Sequence, residues 1–329
     1  MAPVSGPPFA SVVVPTMLRR PELLAGALKA LCALDYPDYE VVLVDNRPDA
    51  RRDERDWRAL PVDPRIRFVA QPRPGASAAR NAGIRVAQGE FVAFTDDDVE
   101  VDPGWLRAIA DRFAAEPDAD CVTGAVLPKE LDTPAQVWFE EHGAGSAREY
   151  RRASYRRHGR FRVRDRIGGT TDWLYKLGPY GTGANMAFRA GTLATLGGFD
   201  TALGPGTPTQ AGEDIELFVR LLSTGHRLAV EPTAYVHHTH RRTYPELREQ
   251  MSGYGRGLTA MLTATVLRDP RHLIGLALIA IPGAISALRP GKSSAPRPDL
   301  DPGRARLSGL LHGPGSYLAS RRRMRRWQR

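Results

Sequence analysis

Four short apolar runs in the first hundred residues set the strongest limit on what this chain can fold into. SVVVP (11–15), EVVLVD (40–45), RIRFVA (65–70) and FVAF (91–94) are rich in β-branched and aromatic residues, and each ends at a proline, an acid or a polar turn. Between them lie PELLAGALKALCAL (21–34) and GASAARNAGIRVA (75–87), whose apolar residues recur at helical spacing. Strand, helix, strand, short strand, helix, strand predicts an α/β, Rossmann-like doubly wound sheet. In such a sheet ligands bind at the carboxyl ends of the strands. Farther on, WLRAIADRFAAE reads as an amphipathic helix and DCVTGAVLP (120–128) as a strand. GTGANMAFRA (181–190), AGEDIELFVRLLSTG (211–225) and AYVHHTHRR (234–242) follow.

The run FVAFTDDDVE (91–100) carries an apolar strand straight into three aspartates. Adjacent like charges repel, so folding alone does not favour them. A hard divalent cation among them offsets the repulsion, and Mg²⁺ or Mn²⁺ typically bridges one or two carboxylates to substrate phosphates. The implied ligand is a nucleotide diphosphate. An isolated acidic turn is usually just solvated, but this one has company. Asp45 ends a neighbouring strand, Arg80 and Asn81 lie in the helix before the acidic strand, and Glu213 and Asp214 open a later helix. Small residues in GTGANMAFRA allow the backbone to approach a ligand, and Asn185 offers an amide there. Trp173 and Tyr180 upstream are candidates to stack on a sugar, or simply to pack. His238 and His240, two apart on an extended segment, point the same way and are candidates to complete a metal shell. Arg241 and Arg242 could grip phosphate oxygens.

VVVPT (12–16), EVVLVDN (40–46), GASAARNAG (75–83), TDDD (95–98), GANMAFR (183–189), GGFD (197–200) and GEDIEL (212–217) occur in this order. On them the chain resembles the inverting family 2 glycosyltransferases of the GT-A fold, over about residues 10–245. The resemblance implies that Pro15, Thr16 and Asp45 line a nucleobase pocket. It implies that Asp96 and Asp98 form a D-x-D, with Asp96 nearer the ribose, Asp98 on Mn²⁺ or Mg²⁺, and Asp97 between them on the donor side. Asp214 would be the base that activates the acceptor, with Glu213 tuning it. His240, with His238 close behind, would reach the metal or diphosphate. The implied activity is transfer of a single sugar from a nucleotide-diphosphate sugar, with inversion. Asn46-Arg47-Pro48 departs from the family's Asp or Gly then Ser, which leaves the donor base and sugar open. The terminal RRMRRW has Arg323 where processive synthases carry glutamine, so repeated extension is not expected.

The net charge of +9 resides wholly in the tail, since residues 289–329 hold 11 Lys or Arg against 2 Asp. We expect a catalytic domain over 1–245, a helical and partly apolar appendage over 246–290 and a basic, flexible tail over 291–329. The appendage contains HLIGLALIAIPGAISALRP (272–290), too short and too broken by Pro282 to span a bilayer, so a buried hairpin and an interfacial segment are both open. The basic tail would be drawn to anionic lipid. The arginine-rich run 148–166 reads as a mobile surface loop, and with no nucleic-acid motif present it licenses only non-specific contact with nucleic acid. Two distant cysteines, Cys32 and Cys121, exclude a disulfide framework, and MAPVSGPPFA lacks the regions of a secretory signal. A cytoplasmic enzyme is the expectation, with peripheral attachment to the inner face of the membrane left open. Two other functions fit the sheet: a sugar-nucleotide pyrophosphorylase, and a non-catalytic nucleotide-sugar or membrane-surface binding protein. The first needs a Gly-rich loop after the first strand, which VVVPTMLRR lacks.

Overall fold

The computed structural model describes residues 6–49, 57, 60–142, 150–175, 178–278 and 301–327. The predicted alternation is present: β1 (Ala10–Thr16), α1 (Pro21–Cys32), β2 (Tyr39–Asp45), β3 (Ile66–Ala70), α2 (Ala76–Val86) and β4 (Phe91–Phe94). Next come β5 (Val99–Val101), α3 (Trp105–Ala115), β6 (Cys121–Pro128), α4 (Pro134–His142), β7 (Ala153–Arg157), β8 (Arg162–Asp165) and β9 (Thr171–Trp173). Then follow β10 (Met186–Arg189), α5 (Ala190–Leu196), α6 (Glu213–Ser223), β11 (Leu228–His238), α7 (Tyr244–Arg268) and α8 (Pro302–Arg326). The strands make one sheet in the order β3-β2-β1-β4-β10-β6-β11-β7-β8-β9, with β5 on β11. β10 runs antiparallel between β4 and β6, so the sheet is mixed.

Strand periodicity divides the core. Val12 and Val14 of β1 join Val41 and Leu43 of β2 against α1 and α3, where Leu24, Leu28, Trp105 and Ile109 meet them. Val13, Val42 and Val44 face the other way, onto Ala79 and Ala82 of α2 and Phe218 of α6. Both faces are covered, which is why these strands read as unbroken apolar runs.

The register builds a polar rim. Thr16 stands opposite Asp45 in the β1–β2 ladder, while β4 ends with Phe94 opposite Val13. The TDDD turn therefore begins two residues below the end of β1 and opens beside Thr16. On the far side the β6–β11 ladder slips between Glu231 and Tyr235. Beyond this bulge the edge of β11 that faced β7 takes up β5, which sets His238 opposite Val99. That pairing carries a histidine from near the end of the domain to the aspartate turn.

Two expectations are corrected. Residues 150–166 of the arginine-rich run form β7 and β8, not a mobile loop; Tyr155 opposite Asp165 and Val163 opposite Arg157 pair across them. Tyr155, Val163 and Asp165 are buried while the arginines between point out, so an alternating strand hides inside a charged stretch. The basic tail is likewise not flexible over 302–326: it is the helix α8, capped by Asp301 and lying along α7. Glycines make the seam. A methyl group at Gly255 would overlap the Arg306 carbonyl, and one at Gly309 or Gly313 would overlap the Ser252 carbonyl or the Thr259 hydroxyl. Small residues let two backbones approach, and such a seam has no hydrophobic signature. Tyr317 and Met324 then close on Met261 of α7 and on Ala202 and Leu203 of the catalytic domain. Of the apolar segment 272–290, residues 272–278 are helical, and 279–290 lie outside the described residues.

Candidate active site

The aspartate turn is a set of three carboxylates with three different environments. Asp96 accepts from Arg80 Nη2 at 2.9 Å. Asp97 accepts from the Thr16 hydroxyl at 2.6 Å, and that hydroxyl in turn accepts the Leu18 N–H at 2.9 Å. Burial pushes the Asp97 carboxyl up to about 6, aided by the charges of Asp98 and Asp96 and opposed by the Thr16 hydrogen bond. Asp98 is ion-paired to Arg20 and lies 3.5 Å from His238 Nε2. Burial alone would raise it too, but His238 and then Arg20 outweigh burial and hold it below the usual carboxylate range. The His238 imidazole shows the converse, raised by Asp98 against its own burial.

Arg80 ties this turn to the second acidic pair. Its guanidinium is buried and donates through Nη1 to Glu213 Oε1 at 2.8 Å while Nη2 holds Asp96. The α2 helix that carries it is anchored at the rim, because the Gly75 N–H donates to Asn46 Oδ1 at 2.9 Å, and Asn46 Nδ2 donates to the Gln71 and Arg73 carbonyls. Asn46, a departure from the family pattern, is thus a strut between loops. Asp214 sits in the first turn of α6, at the positive end of that helix. Its Oδ2 accepts the Gly183 N–H at 2.7 Å and its Oδ1 the Ile215 N–H at 2.8 Å. Gly183 leaves room for this approach, since a Cβ there would crowd Arg80 Nη2 at 3.2 Å and Asp214 at 3.3 Å.

Several expected residues are placed elsewhere than the sequence suggested. Asn185 is not a ligand group. Its Nδ2 donates to the Ala125 and Ala234 carbonyls, both at 2.8 Å, and its Oδ1 accepts the Trp105 indole N–H at 2.8 Å. The β6–β11 bulge leaves buried carbonyls without ladder partners, and Asn185 satisfies them. Glu213 faces Arg80 and is buried. Its carboxyl is raised, first by burial and then by Asp214, against the pull of Arg80, so it supports Asp214 rather than meeting an acceptor. Of the two histidines, His238 meets Asp98; His240 turns away, with Nε2 at 2.7 Å from Glu140 and its ring against Phe139. His240 reaches the site only through His238, Nδ1 to Nδ1 at 3.0 Å. Tyr180 is core, while Trp173 stacks beneath Arg162. Arg242 pairs with Asp132, whereas Arg241 has no ion pair among the described residues and its charge reaches His238.

At the expected nucleobase pocket, Pro15 and Thr16 end β1 beside Asp45. The Asp45 carboxylate accepts from the Arg47 backbone N–H and from its guanidinium at 3.0 Å, and that guanidinium lies over the Trp57 ring at 5.3 Å. Arg20 and Glu140 were missed in the sequence. The basic pair after β1, LRR, was the available signal for Arg20; nothing local marks Glu140.

Among the described residues no three His, Cys, Asp or Glu side chains converge as a cage for a metal ion. The donors present fit a substrate-bridged ion instead: Asp98 with His238, on a carboxylate whose present partner Arg20 is an exchangeable side chain. A basin of about 620 Å³ lined by Arg156, Arg157, Arg160 and Arg227 lies beside the start of β11, at the sheet edge opposite the rim.

A mixed sheet whose rim gathers acids from β2, the β4 turn and α6, with an antiparallel strand at its centre, is the GT-A arrangement. The sequence profile described as Glycosyl transferase family 2 matches residues 11–194, more than half of the chain, and the protein belongs to that family. It is 25% identical over 240 residues to the glucosyl-dolichyl phosphate glucuronosyltransferase of Haloferax volcanii, covering 69% of this chain and 68% of that one. It is 26% identical over 254 residues to a pre-mycofactocin glycosyltransferase of Mycobacterium tuberculosis, covering 77% of this chain but only 48% of the relative. Among solved structures, a mannosyltransferase from Pyrobaculum calidifontis in complex with GDP-Man and Mn²⁺ superposes with a TM-score of 0.54 at 20% identity. That match covers 96% of this chain and 74% of the other, and shows the shared fold. Family membership sets aside the pyrophosphorylase alternative.

Proposed function

We propose that the protein is an inverting, divalent-metal-dependent transferase that moves one sugar from a nucleotide-diphosphate sugar to an acceptor nucleophile. The observation that carries this reading is the Arg80 bridge, one buried guanidinium that fixes Asp96 of the donor turn and Glu213 beside Asp214. Donor-side and acceptor-side acids are thereby held at a set separation without meeting. Asp214 takes the proton of the acceptor hydroxyl as its oxygen bonds to the anomeric carbon and the bond from that carbon to the diphosphate oxygen breaks. The Gly183 and Ile215 N–H groups keep the carboxylate oriented for this. Asp98 and His238 would hold the cation, which when bound neutralises charge on the departing diphosphate. Arg20, released from Asp98, and Arg241 are the side chains able to meet phosphate oxygens. The Mn²⁺ and GDP-Man in the Pyrobaculum neighbour are in keeping with this donor class.

The test is turnover of a panel of nucleotide sugars with Mn²⁺ or Mg²⁺, with the product's anomeric configuration read by NMR. We expect a β-linked product from an α-linked donor and loss of turnover in EDTA. Retention of configuration, or full turnover in EDTA, contradicts the reading.

A further inference from the structure

α8 packs by one face only. Ala305, Gly309, Gly313, Tyr317, Ser320 and Met324 are buried toward α7 and the catalytic domain. On the opposite side Leu307, Leu311 and Leu318 are 63%, 85% and 45% exposed. At 3.6 residues per turn these three fall within an arc of about 40°, forming a single apolar strip along the helix. Arg304 bounds the strip at one end, and Arg321, Arg322 and Arg325 bound it at the other. The helix, PGRARLSGLLHGPGSYLASRRRMRR, contains seven arginines and no acid. Arg304 lies 3.8 Å from Asp301, but Arg321, Arg322, Arg323, Arg325 and Arg326 have no ion-pair partner among the described residues. Leucines in water and a cluster of unpaired cations each cost stability in the isolated protein.

We propose that this face of α8 lies flat on an anionic lipid bilayer, with the leucine strip in the headgroup–acyl boundary and the arginines against lipid phosphates. Charge complementarity selects the occupant. A second copy of the chain would bring to the same face another helix with seven arginines and no acid, whereas anionic headgroups supply the missing charge. No described helix is long and apolar enough to cross a membrane, so the contact is in the plane of the surface. The membrane-binding element is thus an ordered helix fixed to the catalytic domain through the glycine seam, and its action is independent of the proposed transfer reaction.

The full-length protein is floated with vesicles of phosphatidylcholine and of phosphatidylcholine mixed with phosphatidylglycerol. Binding at least about tenfold tighter to the anionic vesicles is expected. The combined Leu307→Gln, Leu311→Gln and Leu318→Gln variant should lose binding about tenfold with its thermal unfolding unchanged, since these side chains are exposed. The combined Arg321→Gln, Arg322→Gln and Arg325→Gln variant should lose the preference for phosphatidylglycerol. Should the triple leucine variant unfold, Leu311→Gln alone, at the most exposed position, should still weaken binding about threefold. Native protein that ignores phosphatidylglycerol, or a folded leucine variant that floats as the native protein does, overturns the proposal. So does a self-associated native protein that the leucine changes dissociate without any vesicle binding.

Discussion

The rim carries two acidic doublets, Asp97-Asp98 after β4 and Glu213-Asp214 at the start of α6, and the molecule handles them differently. In each, one member has its carboxyl pushed up, the half-buried Asp97 by desolvation to about 6 and the buried Glu213 by desolvation and its neighbour Asp214. The other members differ in what holds them. Asp98 is held by side chains, Arg20 and His238, and in the proposed reaction Arg20 gives way to a cation. Asp214 is held by main chain, the Gly183 and Ile215 N–H groups, which do not give way. A donor site must accept and release a charged ligand each cycle, whereas a base must keep its aim. The difference in partners matches the division of labour proposed for them, and Arg80 links the two regions, holding Asp96 beside the first doublet and Glu213 of the second.

Removing that link should have the largest effect. Arg80→Met leaves Glu213 buried without its cation, and loss of one partner of a buried pair costs about 3–5 kcal/mol. Urea unfolding measures it, and the loss should shrink as pH falls from the alkaline side toward about 7, the value to which the native Glu213 carboxyl is raised, because the unpaired Glu213 of the variant takes up a proton first. A destabilisation independent of pH would separate Glu213 from Arg80.

Asp97→Asn comes next, with a defined pH signature. Because the folded carboxyl is raised to about 6 against an unfolded value near 3.8, the native protein gains stability as pH falls from about 6 to about 4. The variant should be more stable than native at pH 7 by on the order of 2 kcal/mol, with the advantage gone near pH 4. An equal stability difference at both pH values would remove desolvation as the cause.

The smallest effect is expected at Arg20, whose side chain is about one third exposed. Arg20→Gln should raise KM for the donor several-fold with kcat near native, the mark of lost ground-state binding. A fall in kcat alone would place Arg20 with the base instead.

What the sequence made legible was whatever depends on neighbours in the chain. The strands ended where their apolar runs met Thr16, Asp45 and Thr95, and the ordered acids Asp45, Asp96, Asp98 and Asp214 all came to the rim side of the sheet. What it hid were partners brought from afar. Arg20 and Asp98 are 78 residues apart, and Arg80 and Glu213 are 133 apart. Asn185 sits in a Gly-rich turn that reads as ligand-facing, and only the bulge in β11 explains why its amide is used inside. His238 and His240 look equivalent on an extended strand, and Glu140, from a helix a hundred residues earlier, is what turns His240 away. The glycine seam of α7 and α8 was illegible for a different reason: packing by absence of side chains leaves no hydrophobic period to read.

The division between an exchangeable donor side and a fixed base side is tested most directly by measuring donor affinity and single-turnover transfer in Asp214→Asn and Asp98→Asn with Mn²⁺ present. We expect Asp214→Asn to bind donor within a few-fold of native while transfer falls by about 10²–10⁴, and Asp98→Asn to lose donor binding. Native-like transfer by Asp214→Asn, or donor affinity lost in Asp214→Asn and kept in Asp98→Asn, would contradict the account.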